Sequence, residues 1–114
     1  MPSRFHELDA YKRAAALADA VFADVTRWPA FERSTIGEQL MRAVDSIGAN
    51  IAEANGRWTA AEKRRFLLYA RGSLYEAEHW LTRAKARDIT GNDYASELAQ
   101  VARPLNGLLK HPAP

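Results

Sequence analysis

The feature that most constrains the fold is a regular alternation of leucine and alanine within residues 60–86. The two residue types recur at spacings of three and four, at Leu67, Ala70, Leu74, Ala77, Leu81 and Ala84. This spacing places all six side chains on one side of an α-helix, and the alternation of large and small side chains is typical of helices packed in a bundle. The sequence therefore predicts one long helix that buries this side against other helices.

Three further segments show helical periodicity, and no segment shows the alternation of a half-buried strand. The predicted helices span about 8–26, 35–55, 60–86 and 93–109. Thr35 and Thr59 each open a Thr-x-x-Glu pattern, in which the threonine hydroxyl accepts a hydrogen bond from the first turn of a helix. Asn92 is expected to cap the fourth helix. Pro104 falls inside the last apolar stripe, so we expect a kink there rather than an end.

The apolar stripes of the other helices complete the expected core. The inward side chains of the first helix are Leu8, Tyr11, Ala14, Leu17, Ala18, Val21, Phe22 and Val25. Those of the second and fourth helices are Leu40, Val44, Ile47, Ile51, Leu98, Val101, Leu105 and Leu108. Gly48 lies inside the second helix, which indicates close packing or a kink, because glycine weakens a helix interior.

Short connections between long helices favour antiparallel neighbours. We therefore predict an all-α up-down four-helix bundle, a single domain over residues 1–114 with a frayed tail at 111–114. The chain has no cysteine, which excludes disulfides, thiolate catalysis and sulfur-ligated zinc. The N-terminus lacks an apolar signal core, and no apolar run approaches the roughly 20 residues that span a bilayer. We expect a cytoplasmic protein that does not contact membranes.

The positive charge of the chain is concentrated in one block. Residues 57–87 carry 8 basic and 3 acidic side chains, a net charge of +5, against −2 for residues 1–56 and −1 for residues 88–114. The basic residues nearest the start of the third helix are Arg57, Lys63, Arg64, Arg65 and Arg71. With Trp58 and Tyr69 between them, they could neutralise phosphates and stack on unpaired bases. The alternative is a solvated surface on which Arg64 and Arg71 pair with acids of neighbouring helices.

A second apolar stripe follows another side of the predicted third helix. Leu68, Gly72 and Tyr75 recur at spacings of four and three. A helix that is apolar on two sides has two surfaces to bury, so we predict a subunit interface, with Gly72 allowing close approach. The alternative is a wide core face that includes these residues.

Ser46, Asn50 and Glu53 follow one side of the predicted second helix. One interpretation is a pocket for a small-molecule ligand. The other, which we favour, is a hydrogen-bond network between helices that fixes their register, with Arg71 pairing with Glu53.

Catalytic and metal-binding patterns are nearly absent. Glu76-x-x-His79 has the spacing that di-metal bundles use, but such a site needs a second copy and two further carboxylates. The chain has no glycine-rich phosphate loop and no serine in a nucleophile-elbow context. We therefore expect no metal site, no cofactor and no enzymatic activity.

Several segments together resemble one known family. They include Gln39-Leu40-Met41-Arg42-Ala43, Ser46-Ile47-Gly48-Ala49-Asn50-Ile51-Ala52-Glu53, Arg65-Phe66-Leu67 and Ala70-Arg71-Gly72-Ser73-Leu74. With Trp28-Pro29 and Gly56-Arg57, they resemble the four-helix-bundle proteins encoded in intervening sequences of bacterial 23S ribosomal RNA genes. The resemblance covers roughly Phe5 to Ile89. The chain departs from the family pattern at Gly48, where proline is usual, at Ala54, where glycine is usual, and at Tyr11, which replaces a tryptophan.

The resemblance implies a left-handed up-down bundle, a homopentamer and no known enzymatic activity. A related group serves as accessory proteins of diversity-generating retroelements, and its members form a positively charged pentameric barrel that binds nucleic acid and a reverse transcriptase. From the residues and the resemblance we predict a non-catalytic oligomer that binds structured RNA or DNA through its basic residues, with a further protein partner. The alternatives are a protein-binding scaffold without nucleic-acid contact, and a small-molecule-binding bundle that uses Asn50 and Glu53.

Overall fold

The computed structural model describes residues 4–110, in which four α-helices follow one another through short connections. The helices are α1 (Asp9–Val25), α2 (residues 30–56), α3 (Ala60–Ala86) and α4 (Ala95–Lys110). A short 3-10 turn, Phe5–Glu7, precedes α1, and the described part of the chain contains no strand. The predicted all-α class, the four helices and the single domain are confirmed. The expected tail at 111–114 lies outside the described residues.

The start of α2 differs from the prediction. The helix follows directly on Pro29 and runs through the consecutive segments Ala30–Glu32, Arg33–Gly37 and Glu38–Gly56, the middle one with π geometry. Thr35 does not cap the helix; it lies inside it, and its hydroxyl donates to the carbonyl oxygen of Phe31 at 2.7 Å. Threonine can bond in this way to the preceding turn, so the capping pattern alone did not locate the helix start. At α3 the pattern was right, because the Thr59 hydroxyl accepts from the Glu62 N–H at 3.1 Å.

The core is a single apolar cluster to which all four helices contribute. Each of the six leucines and alanines of the α3 alternation is buried. On α2 the predicted Leu40, Val44, Ile47 and Ile51 are fully enclosed. No polar or charged side chain is buried within residues 4–110. Burial of apolar area is therefore the interaction that holds the helices together.

One predicted core position faces solvent, and three others, Leu8, Tyr11 and Leu108, are partly buried against the core. Phe22 is 58% exposed, because Val21 and Val25 point into the core and a neighbouring residue on a helix is turned by about 100°. On α4, Leu109 is buried while Leu108 is only half-buried. The helix continues through Pro104 to Lys110, so the prediction that Pro104 does not end α4 is confirmed.

The predicted close packing at Gly48 is confirmed. A Cβ atom at this position would lie 3.4 Å from Cε2 of Tyr11 and 3.9 Å from Cβ of Ala14. The Tyr11 ring of α1 therefore packs beside Gly48 of α2, at a distance that a Cβ atom would also allow.

One carboxylate joins three chain segments at the end of the bundle where α1 ends and α4 begins. Asp24 of α1 accepts hydrogen bonds from the Trp28 indole N–H at 3.3 Å, the Thr90 hydroxyl at 2.9 Å and the Tyr94 hydroxyl at 3.2 Å. Trp28 belongs to the connection before α2, and Thr90 and Tyr94 to the connection before α4. Asp24 therefore holds both connections against α1.

Tyr94 also marks where α4 begins, two residues later than predicted. Its φ of 56° lies in the left-handed region, which is rare for an aromatic residue. Asn92 Oδ1 accepts from the Tyr94 N–H at 2.8 Å, so the predicted cap bonds to the residue before the helix. The buried ring and its hydroxyl bonds to Asp24 and to the Ala20 carbonyl hold Tyr94 in this conformation.

Replacing Asp24 with alanine is expected to lower the free energy of unfolding by about 2–4 kcal/mol, because three donors lose one shared acceptor. Denaturant unfolding followed by circular dichroism measures the change. Asp19→Ala is the matched control, since Asp19 is exposed on the same helix and makes no hydrogen bond or ion pair within residues 4–110. The control should change stability by less than about 0.5 kcal/mol. Equal losses in both variants would show that the three hydrogen bonds contribute nothing.

Burial, together with the nearby Asp24 carboxylate, raises the pKa of Tyr94 to about 12. The raised pKa means that the neutral phenol stabilises the fold below pH 10, the ordinary tyrosine value, and that this stabilisation is lost as the pH rises towards 12. In an absorbance titration of the four tyrosines, one step should lag behind the others. Tyr94→Phe should remove the lagging step and reduce the alkaline loss of stability. A titration in which every phenol ionises near its ordinary pKa would contradict this assignment.

Candidate nucleic-acid interface

Arg57 follows the end of α2, Lys63, Arg64 and Arg65 lie near the start of α3, and Arg71 lies about two turns further along α3. Three residues, 57–59, connect the two helices. We call the surface formed by Arg57, Trp58, Lys63, Arg64, Arg65, Tyr69 and Arg71 the basic surface. The first turn of α3 lies beside the last turn of α4, because Arg64 Nη1 donates to the Leu109 carbonyl oxygen at 3.0 Å. This carbonyl belongs to the negative end of the α4 dipole, which favours a cation.

Phe66 positions two of the cations. The Arg57 guanidinium carbon lies 4.3 Å from the centre of the Phe66 ring, and that of Arg65 lies 5.2 Å away. The Tyr69 ring meets Phe66 edge-on, with 5.4 Å between the ring centres. An aromatic face attracts cations, so Phe66 orders both guanidinium groups. The charge pattern alone does not indicate this role of Phe66, although its place between Arg65 and Tyr69 in the sequence was a signal for it.

Most cations of the basic surface have no carboxylate partner. Arg57 forms an ion pair with Glu53, and within residues 4–110 none of the other four cations is in an ion pair. The alternative in which Arg64 and Arg71 pair with acids of neighbouring helices is therefore wrong for the described part of the chain. No carboxylate within the described residues therefore neutralises Lys63, Arg65 or Arg71, whereas Arg64 is held at the C-terminal end of α4.

Lys63 lies beside a small apolar cavity. The cavity has a volume of about 40 Å³ and is lined by Leu8, Ile51, Leu67 and Leu108 as well as Lys63. Ligand pockets usually have volumes of several hundred Å³, so this space is a packing gap. The residues around it place the starts of α1 and α3 beside the ends of α2 and α4.

Two aromatic side chains of the basic surface face solvent. Trp58 is 94% exposed, and more than half of Tyr69 is exposed. Tryptophan is on average a strongly buried residue type, as Trp28 is in this chain. The basic surface thus combines uncompensated cations with open aromatic faces.

The second apolar stripe of α3 divides between core and surface. Leu68 is half-buried and packs against the core cluster, as the alternative interpretation expected. Tyr75 is 60% exposed, and a Cβ at exposed Gly72 would have no atom within 4 Å. Gly72 and Tyr75 therefore remain available for contact with another chain, whereas Leu68 already stabilises the monomer.

The predicted polar set bonds within its own helix. The Ser46 hydroxyl donates to the Arg42 carbonyl oxygen at 2.7 Å, and the Asn50 amide donates to the Ser46 carbonyl oxygen at 2.9 Å. Glu53 pairs with Arg57, one turn further along the chain, and not with Arg71. The expected network between helices is therefore wrong, because short polar side chains reach the carbonyl four residues back more easily than a neighbouring helix.

The Glu76 side chain bonds within its own helix. Glu76 accepts a hydrogen bond from the Trp80 indole at 3.1 Å. In the described range 4–110, no three His, Asp or Glu side chains come close enough together to hold a metal ion. None of the helices in this range is both long and apolar enough to cross a bilayer.

A comparison with known protein families identifies the family of this chain. The family model for the 23S rRNA-intervening sequence protein matches residues 6–111. The chain belongs to this family. The match confirms the resemblance and extends it beyond Ile89 through α4, so the helix that contains Pro104 is also part of the family unit in this 23S rRNA-intervening sequence protein. No curated protein matches the chain at a significant level.

Proposed function

We propose that this 23S rRNA-intervening sequence protein is a non-catalytic oligomer that binds structured RNA or DNA through the basic surface. The observation that carries the proposal is that Lys63, Arg64, Arg65 and Arg71 lack ion-pair partners within residues 4–110, while exposed aromatic rings lie among them. Cations that neutralise phosphates release counterions, which drives association with nucleic acid. The cytoplasm is the proposed site of action, since the RNA partner would be found there.

Two of the cations are spaced along one side of α3. Arg64 and Arg71 are seven residues apart, so they share one side of α3 and lie about 10 Å apart along its axis. Arg65 and Tyr69 share an adjacent side, one turn apart. A row of this length can follow successive phosphates of a nucleic-acid backbone.

Oligomerisation would bring several copies of the basic surface together in one assembly. The family resemblance supports a left-handed up-down bundle that assembles into a homopentamer, and the exposed Tyr75 and Gly72 supply an outer face on α3 for contact between copies. In such a ring, each copy contributes a basic surface and the binding becomes multivalent.

A protein-binding scaffold is the second candidate. Phe31 is 74% exposed, and beside it lies an open groove lined by Pro29, Ile36 and Ile89. The groove is also lined by Glu32, Thr35, Arg87 and Asp88, so it is partly apolar and partly charged; it is separate from the basic surface and could hold the proposed protein partner. The small-molecule interpretation is the least favoured, since Asn50 bonds to the Ser46 carbonyl oxygen and Glu53 pairs with Arg57.

The first test is the binding of a fluorescently labelled RNA hairpin and of duplex DNA at salt concentrations from about 50 to 200 mM. We expect affinity in the micromolar range or tighter that falls steeply with salt, and a loss of about tenfold or more in Arg64→Glu/Arg65→Glu. Arg83→Glu/Arg87→Glu is the matched control, since it makes the same charge change at the other end of α3. Absence of binding to both probes at low salt would overturn the proposal and leave the scaffold.

The oligomer is tested separately by light scattering. Tyr75→Asp is expected to reduce the mass in solution, because it places a charge in the proposed interface while leaving the core intact. Leu68→Lys is the poorer variant, since Leu68 also packs against the core. Phe31→Asp is the control, an exposed aromatic away from α3. A wild-type monomer would contradict the oligomer, and an unchanged mass in Tyr75→Asp would contradict the interface.

A further inference from the structure

The backbone on both sides of Trp58 is hydrogen-bonded, and the Trp58 side chain is exposed to solvent. The Arg57 N–H donates to the Ala54 carbonyl oxygen at 3.1 Å, and the backbone of Arg57 is extended, with φ −80° and ψ 156°. On the other side, Thr59 caps α3 through Glu62. The connection between α2 and α3 therefore has fixed ends, and Trp58 projects from it with almost its whole surface exposed.

Along the chain, Trp58 is flanked by cations, by small residues and by one acid, Glu62 in the first turn of α3. Arg57 precedes it, Lys63 follows one turn into α3, and Gly56, Ala60 and Ala61 are short. An aromatic anchor in a protein interface is usually surrounded by further residues that exclude water, such as large apolar side chains. The surroundings of Trp58 match a ligand that carries a flat ring and a negative charge together, as a nucleotide does.

We infer that Trp58 is a stacking platform for an unpaired base, so that the basic surface prefers single-stranded segments to a fully paired duplex. In a duplex the faces of the bases are covered by their neighbours, whereas loops, bulges and ends expose a face that an aromatic side chain can stack on. The phosphates on either side of the stacked base would be neutralised by Lys63 and Arg65. This inference rests on the proposed function and specifies its ligand.

The direction of the charged row favours a nucleic-acid strand over a lipid surface. Arg71 lies about 12 Å beyond Lys63 along the axis of α3, so the cations run up the side of the bundle. A flat bilayer that met Trp58 at the tip would leave Arg71 without contact. A flexible strand can stack on Trp58 and continue along the side of α3 that carries Arg64 and Arg71.

The test compares a labelled oligouridylate with a blunt RNA duplex of the same length, using wild type, Trp58→Ala and Trp58→Phe. Wild type should bind the oligouridylate more tightly. Trp58→Ala should weaken oligouridylate binding by about tenfold and leave duplex binding unchanged, since one stacked base is lost. Trp58→Phe should keep most of the affinity, because it retains an aromatic face. As a second readout, oligouridylate should quench tryptophan fluorescence in wild type and much less in Trp58→Phe, in which Trp28 and Trp80 remain.

The possible outcomes separate this inference from the proposed function. If Trp58→Ala binds the oligouridylate as wild type does, or loses affinity for both probes equally, the stacking role is overturned. The proposed function then stands, provided that Arg64→Glu/Arg65→Glu still weakens binding. If wild type binds neither probe, both proposals fail. Binding to phosphatidylserine vesicles that depends on Trp58, without oligouridylate binding, would assign the surface to lipid and overturn both.

Discussion

The packing of α3 against its neighbours through alternating leucine and alanine is the constraint on which the rest of the structure depends. The alternation lets neighbouring helices interdigitate, and it fills one whole side of α3 with apolar groups. No polar side chain is buried within residues 4–110, so the cations of α3 have no place in the interior. The same helix that contributes six side chains to the core must therefore present its positive charge to solvent, and this separation of faces produces the basic surface.

The sequence predicted α3 well because its signals are local and repeated. Six apolar positions, a Thr59 cap and residues that favour helix all indicate the same element. The start of α2 was predicted wrongly because Thr35 can cap a helix or bond back within one, and the sequence pattern is the same in both cases. The conformation of Tyr94 could not be predicted, since it depends on Asp24, which is distant in the chain.

The candidate interface was predictable in its composition but not in its contacts. The concentration of basic residues within 57–87 identified the cations by type and position. Which of them is compensated depends on how the helices pack, and the structure gives only Arg57 a carboxylate partner within the described residues. The role of Phe66 and the exposure of Trp58 likewise follow from the turn between α2 and α3, because a tryptophan in a sequence indicates burial by default.

The π segment Arg33–Gly37 has a consequence for how the length of this chain can vary. Adding one residue elsewhere in α2 would turn every following side chain by about 100° and move Leu40, Val44 and Ile47 out of the core. A π segment holds one residue more than regular α-helix does, so it takes up an insertion within a single turn. Removing one residue from this segment would return it to regular α-helix while Ile47 and Ile51 keep their partners. A change of chain length at Arg33–Gly37 would therefore leave the core-facing side chains later in α2, and the basic surface that follows α2, in place.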